Sequence, residues 1–216
     1  MTLSIRNAGK AFLQKFYSPR KFLWRLPPSQ ACVALTFDDG PDPVYTKAVL
    51  DLLALHGIKA TFFVIGEKAE KHPELVLRMV VEGHAVASHS WSHKEIVGQS
   101  KNELAADLGR CRELLRVVSG VETNLFRPPR GRVDMASIHH VCSLGYCLVH
   151  WTNTYGDYQR DGADRLIARF QSNPPVAQDI VLLHDHNADT VVALNAMIPE
   201  WKADGLKFTK IAVANL

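Results

Sequence analysis

The sequence predicts an α/β domain built as a distorted or incomplete (β/α) barrel with about seven parallel strands. Three observations predict it. Short β-branched or apolar runs alternate with helix-period segments along the chain. Polar clusters fall immediately after the predicted strands, on the face where parallel α/β architectures place their chemistry. A length of 216 residues with 47% hydrophobic content is enough for one core but short for a full eight-fold barrel. An open doubly wound sheet is the alternative.

The elements follow in order. Residues 31–37 are apolar enough for a buried strand. Asp42 then caps a helix with Pro43 at its first position, Val44, Ala48 and Leu52 form its apolar stripe, and Gly57 stops it. A strand over 60–65, a helix over 73–82 and a strand over 85–87 come next. The helix over 101–118 carries Leu104, Leu108, Cys111 and Leu115 on one face, and Gly120 ends it. Strands at 124–126, 146–150 and 180–183 alternate with helices at 135–144, 163–171 and 190–202, and a terminal strand is expected at 206–211.

Charge divides the chain into residues 1–28 and 29–216. Six of the 25 basic residues (Arg6, Lys10, Lys15, Arg20, Lys21 and Arg25) precede the first acidic one, Asp38. The remainder carries 19 basic against 22 acidic residues, so a domain-wide nucleic-acid footprint is not expected. The first 28 residues mix those cations with Ile5, Phe12, Leu13, Phe16, Tyr17, Phe22, Leu23, Trp24 and Leu26. A basic, aromatic segment suits an anionic membrane surface, and packing along the domain is the alternative. Nothing in the chain approaches the ~20 apolar residues of a spanning helix, and no signal-peptide core of about 7 apolar residues is present. A cytoplasmic protein, peripheral on the inner membrane face, is the expectation. Cys32, Cys111, Cys142 and Cys147 show no C-x-x-C pairing and read as reduced core thiols.

The chemistry gathers in the clusters after the strands. His89-Ser-Trp-Ser-His93 places two imidazoles four residues apart, so that a helical turn or a tight loop can aim both at one ion. Asp38 and Asp39 would repel each other without a cation between them, and Gly40 lets the backbone bend there. One carboxylate can ligate while the other abstracts a proton. Two histidines and one carboxylate leave a tetrahedral metal open to water, as hydrolysis requires.

Thr36-Phe-Asp-Asp-Gly40, His89-Ser-Trp-Ser-His93, Arg127-Pro-Pro-Arg-Gly131 and Leu182-Leu-His-Asp185 resemble, in order, the motifs of the polysaccharide deacetylase superfamily (carbohydrate esterase family 4, the NodB-like domain). The resemblance implies metal-dependent hydrolysis of an N-acetyl amide on a sugar or glycan, and the basic N-terminal segment points to a membrane-associated or lipid-linked carrier. It implies that Asp39, His89 and His93 hold one divalent ion, zinc first and cobalt, nickel or manganese as alternatives. Asp38 would be the general base, Arg127 would hold that carboxylate in place, and His184 would be the general acid.

Two departures stand out. The family often has Tyr where this chain has Arg130, and the backbone N–H at that position is the group that serves the oxyanion. Members commonly carry Asp-x-x-Asp-Trp where this chain reads Thr154-Tyr-Gly-Asp157-Tyr158, so either Asp157 or Asp185 compensates for the missing carboxylate, or His184 is tuned differently and works as an acid at lower pKa. Trp151 and Tyr158 are candidates for stacking on sugar. A deformylase or another amide hydrolase on the same fold is the rival reading, and a non-catalytic glycan-binding module the reading from a different class.

Overall fold

The computed structural model describes residues 3–4 and 7–212; Ile5 and Arg6 of the basic N-terminal segment lie outside the described residues. In chain order the elements are β1 (Leu3–Ser4), α1 (Asn7–Leu13), β2 (Phe22–Leu23), β3 (Ala34–Asp38), α2 (Tyr45–Leu55), β4 (Thr61–Val64), α3 (Gly66–Lys71), α4 (Pro73–Val81), β5 (Ala85–Ser88), α5 (Lys101–Ser119), β6 (Leu125–Phe126), β7 (Arg132–Val133), α6 (Met135–Ser143), β8 (Cys147–Val149), β9 (Asn153–Thr154), α7 (Ala163–Ser172), β10 (Ile180–His184) and α8 (Ala188–Ala203). Eight of the strands form one sheet in the order β2-β8-β6-β5-β4-β3-β10-β9, and every pairing in it is parallel. β1 and β7 make a separate antiparallel pair.

The sheet curls. In a flat sheet β6 and β3 would stand about 14 Å apart, with β5 and β4 between them. Arg127, one residue past β6, nevertheless donates from Nη1 to Asp38 Oδ1 at the end of β3, at 2.7 Å. The architecture is therefore the incomplete α/β barrel that the sequence predicts.

Alternation along the strands assigns each side chain to the barrel interior or to the helix layer. Leu35 and Phe37 of β3, Phe62 and Val64 of β4, and Val181 and Leu183 of β10 face outward into the core shared with α2, α7 and α8. Ala34, Phe63, Ala87, Leu125, Cys147, Val149 and Ile180 face inward with Leu23, Leu26 and Ile211. A third cluster under α5 and α6 holds Phe22, Leu104, Leu108, Phe126, Ile138 and Val141.

α5 forms as its sequence dictates. Ser100 and Glu103 make a reciprocal capping box, Leu104, Leu108, Cys111 and Leu115 are buried on one face, and Gly120 ends the helix in the left-handed conformation at φ 70°. α2 departs from expectation. Asp42 Oδ1 does accept from the N–H groups of Val44 and Tyr45, but the helix begins at Tyr45, so Pro43 precedes it. Its inward face is Thr46, Val49, Leu50, Leu52 and Leu53, and Val44 is exposed.

Two further expectations change. The terminal strand at 206–211 is replaced by a single parallel bridge between Val33 and Phe208, after which the Ile211 N–H donates to Thr61 Oγ1 and its side chain is buried in the barrel interior. β2 and β9 join the sheet as two-residue strands, too short to show a period in sequence. β2 comes from the basic N-terminal segment: Phe22 and Leu23 are fully buried and pair with Leu148 and Val149.

This placement predicts a contrast within the segment. Phe22→Ala should destabilise the fold by about 3–5 kcal/mol in urea unfolding. Phe16→Ala, at a 70% exposed position, should stay within about 0.5 kcal/mol.

Candidate active site

The inward parity of three strands converges at their carboxyl ends. Ala34, Thr36 and Asp38 share one side of β3, Leu125 and Arg127 share that side at β6, and Ile180, Leu182 and His184 share it on β10. Asp38 and His184 stand side by side in the β3–β10 register. Together with the loops after β5 and β8 they line a pocket of about 520 Å³.

Asp39, His89 and His93 offer ligand atoms that all lie within 4.8 Å of one another. Asp39 Oδ1 is 3.4 Å from His89 Nε2 and 3.2 Å from His93 Nε2. His89 Nδ1 donates to the Arg127 carbonyl at 2.8 Å, since a carbonyl can only accept, and this leaves Nε2 as a lone pair facing the carboxylate. Asp39 Oδ1 is buried without a hydrogen-bond partner among the described residues. Burial alone would raise the Asp39 carboxyl, but His89, His93 and His184 beside it hold it well below the usual carboxylate range. An ionised, orphaned oxygen among imidazole nitrogens fits a divalent cation. The backbone accepts strain to build this set: Asp39, Ser90 and His93 have φ of 70°, 71° and 58°. The His89-to-His93 segment is thus a tight loop, with the Ser90 hydroxyl accepting from the His93 N–H at 2.9 Å.

Asp38 is held from the interior. Arg127, fully buried, donates from Nη1 to Asp38 Oδ1 and to Thr36 Oγ1, both at 2.7 Å, and from Nη2 and Nε to the carbonyls of His150 and Val149. Its guanidinium lies 4.1 Å over the Phe63 ring. Asp38 Oδ2 remains on the pocket side, 3.8 Å from His89 Nε2.

His184 takes its partner from Asp157. Its Nδ1 lies 3.0 Å from Asp157 Oδ1, its backbone N–H donates to Asp157 Oδ2 at 2.6 Å, and Thr190 Oγ1 completes the carboxylate's shell. Burial would lower the His184 pKa, but the hydrogen bond and charge of Asp157, joined by Asp38 and Asp39, raise it to about 9. Asp185, the other acidic residue expected to tune His184, turns to the opposite side of β10, where its Oδ2 accepts from Thr46 Oγ1 at 2.5 Å. Burial raises the Asp185 carboxyl to about 7. Thr154 lines the pocket, and the His184 ring takes Asp157 in place of a carboxylate at that position.

Arg130, Trp151 and Tyr158 all line the pocket. Arg130 adopts φ 57° and points its exposed guanidinium to Glu95, 2.9 Å away, so its side chain belongs to the rim. Trp151 seats its indole where a Cβ on Gly131 would stand, within 2.3 Å. Tyr158 makes an edge contact with the His184 ring at 5.9 Å. Sequence reasoning missed Asn7, Lys10, His150 and Thr152, which also line the pocket. For His150 the signal was its position one residue past a strand, whereas Lys10 was visible only as a charge.

A family model described as polysaccharide deacetylase matches residues 25–149. The chain is 34% identical to a peptidoglycan-N-acetylglucosamine deacetylase of Bacillus cereus, over 93% of this chain and 96% of that one. It is 35% identical to a chitooligosaccharide deacetylase of Sinorhizobium fredii, over 77% and 84% of the two chains. Its fold is similar to the crystal structure of the Bc1960 peptidoglycan N-acetylglucosamine deacetylase, with a TM-score of 0.84 at 29% identity, covering 93% and 94% of the chains.

The Asp157 contact sets a titration that can be measured. In the metal-free protein, Asp157→Asn should bring the His184 pKa down from about 9 toward the ordinary imidazole value, read by NMR. A histidine raised on folding stabilises below its unfolded value, about 6.5, and loses that contribution as pH rises through about 9. The wild-type metal-free protein should therefore lose stability across that window, and the variant should lose less.

Proposed function

The chain belongs to the polysaccharide deacetylase family, whose activity is hydrolysis of N-acetyl amide bonds, and from that premise we propose that it deacetylates an N-acetylated sugar on a glycan with the help of a divalent metal. The observation that carries this reading is the convergence of the Asp39, His89 and His93 cluster with Asp38 and His184 in one pocket.

Asp39, His89 and His93 would hold the ion, and their mixed imidazole and carboxylate donors favour zinc. When bound, the ion supplies Lewis acidity, which lowers the pKa of water in the site and polarises the amide carbonyl. Asp38 acts as general base: Arg127 fixes Oδ1, and Oδ2 takes the proton of the attacking water. The Arg130 backbone N–H, turned by its positive φ, donates to the oxyanion. His184, protonated near neutral pH and oriented by Asp157, gives the Nε2 proton to the departing amine. Trp151 and Tyr158 present ring faces to the sugar.

Residues 1–28 carry the second part of the proposal, docking on an anionic membrane. Support comes from Phe12 and Phe16, 59% and 70% exposed with ring centroids 5.1 Å apart, and from exposed Lys15 between them. α1, which carries Phe12 and leads directly into Lys15 and Phe16, lines the pocket with Asn7 and Lys10, so docking would set the site near a membrane-held glycan. No helix among the described residues is long and apolar enough to cross a membrane. Four free cysteines agree with a cytoplasmic, peripheral location.

Asp38→Asn should cut turnover on the order of 10²-fold or more while bound metal, measured by atomic emission, stays at the wild-type ratio. His93→Ala should lose the metal in the same assay. Mass spectrometry of N-acetylated and N-formylated glycans incubated with the metal-loaded protein should show loss of acetyl, and loss of formyl alone would overturn the acyl assignment. Joint replacement of Phe12 and Phe16 by Ser should weaken sedimentation with vesicles containing anionic phospholipid by about 10-fold, and unchanged sedimentation would remove the membrane reading.

A further inference from the structure

The pocket contains a cation that the deacetylation chemistry does not use. Lys10 of α1 is 4% exposed, and its Nζ donates to the Trp151 carbonyl at 2.6 Å and to Asn7 Oδ1 at 3.4 Å. An ammonium has three donors, so one remains. No ion pair of the described residues involves Lys10, whereas the neighbouring Arg127 charge is matched by Asp38. The Trp151 ring, 4.9 Å from Nζ, offsets part of the Lys10 charge, but no anion is paired with it, and a buried charge without a counter-charge is costly. The strain shows in the titration of the group, which burial and the Arg127 charge lower to about 8.

Beside it, His150 also lines the pocket and is 1% exposed. Neither of its ring nitrogens has a hydrogen-bond partner among the described residues. Burial, Lys10 and Arg127 keep it far below the ordinary imidazole value, so the ring is neutral and offers one unfilled donor and one unfilled acceptor. Orphaned polar atoms in a buried position are costly unless something fills them.

We propose that Lys10 and His150 form an anion subsite of the pocket, which receives a carboxylate or phosphate carried on or next to the sugar being deacylated. The anion accepts the remaining Lys10 proton and the His150 N–H, and the His150 acceptor is left for a sugar hydroxyl. Tying α1 to the Trp151 carbonyl would need only a neutral donor; a lysine at a buried position in the wall adds a charge that a neutral glycan does not match. The identification of the anion's carrier as a sugar rests on the deacetylase reading, while the subsite itself rests on the two side chains.

Calorimetric titration of the metal-loaded protein with N-acetylglucosamine, N-acetylglucosamine 1-phosphate and N-acetylmuramic acid tests the proposal. At least one of the two acidic sugars should bind about 10-fold more tightly than the neutral one, as one charge-assisted contact provides, and which of them does so separates phosphate from carboxylate. Lys10→Gln should bring that ratio close to one, Lys10→Arg should preserve most of it, and His150→Phe should reduce it about 3-fold or more. Equal affinities in the wild type overturn the proposal. So does a ratio that Lys10→Gln leaves unchanged, which is the result if the anion binds through the metal alone or if Lys10 only positions Trp151. Should Lys10→Gln not fold, the wild-type ratio and His150→Phe decide. Following deacylation of the same sugars by mass spectrometry keeps the two readings apart: an acidic preference in binding with no acyl loss from any sugar counts against the deacetylase, and acyl loss without that preference counts against the subsite.

Discussion

A guanidinium sealed inside a barrel must be given acceptors on every side, and Arg127, at the end of β6, obtains them from two other strands. Thr36 and Asp38 come from β3, and the Val149 and His150 carbonyls come from the end of β8. Burial pulls the Arg127 pKa down and the Asp38 charge opposes that pull, so removing either partner would strand the other in an apolar interior. The sheet has to curl for these groups to meet. The same residue then reaches the pocket twice more: its side chain fixes one oxygen of Asp38 and leaves the other facing the site, and its carbonyl fixes the tautomer of His89. Fold and chemistry are coupled at one side chain.

Around that pair the backbone gives up regularity where the pocket requires it. Asp39, Ser90, His93 and Arg130 all sit at positive φ without being glycine. Such conformations persist when the surroundings over-determine them. The loop after β5 is pinned in this way: the Trp91 N–H donates to Asp107 of α5, Arg110 stacks on the Trp91 indole at 3.5 Å, and the indole occupies the space that a Cβ on Gly66 would fill. Trp91 lies between the two histidines in sequence, so anchoring it on the outside fixes both imidazoles on the inside.

Much of this was legible before any coordinates. The chemistry-bearing clusters follow apolar runs, and in a parallel sheet that fact alone places them on one face. The helix over 101–118 was visible because four apolar residues at helical spacing and a closing glycine agree with one another. β2 and β9 were not visible, since two residues cannot display a period. The choice between Asp157 and Asp185 was left open, although β10 contained the answer: adjacent strand residues face opposite sides, so a residue next to an inward His184 has to face outward, as Asp185 does toward Thr46. Asp157, 27 positions away, could only be assigned once the loop after β9 was folded. Lys10 had no local signal, because a buried lysine and a solvated one look alike in sequence.

The pocket is consequently graded from floor to rim. At the floor, Asp38, Arg127, His89 and Asp157 are 5% exposed or less and have their bonds fixed by strand ends and backbone carbonyls. Displacing any of them disturbs several partners, which couples the reacting geometry to the stability of the barrel. At the rim, Arg130 and Arg132 share Glu95 in solvent, and Tyr158 is 57% exposed. Exposed ion pairs of that kind contribute little to stability, so these positions can change without cost to the fold. Lys10 and His150 belong to the floor by burial, yet they serve neither the hydrolytic step nor the sheet's own pairing. Among the described residues Lys10 keeps a donor beyond its bonds to Trp151 and Asn7, and both His150 ring nitrogens are unpartnered, which points to a part of the substrate beyond the amide.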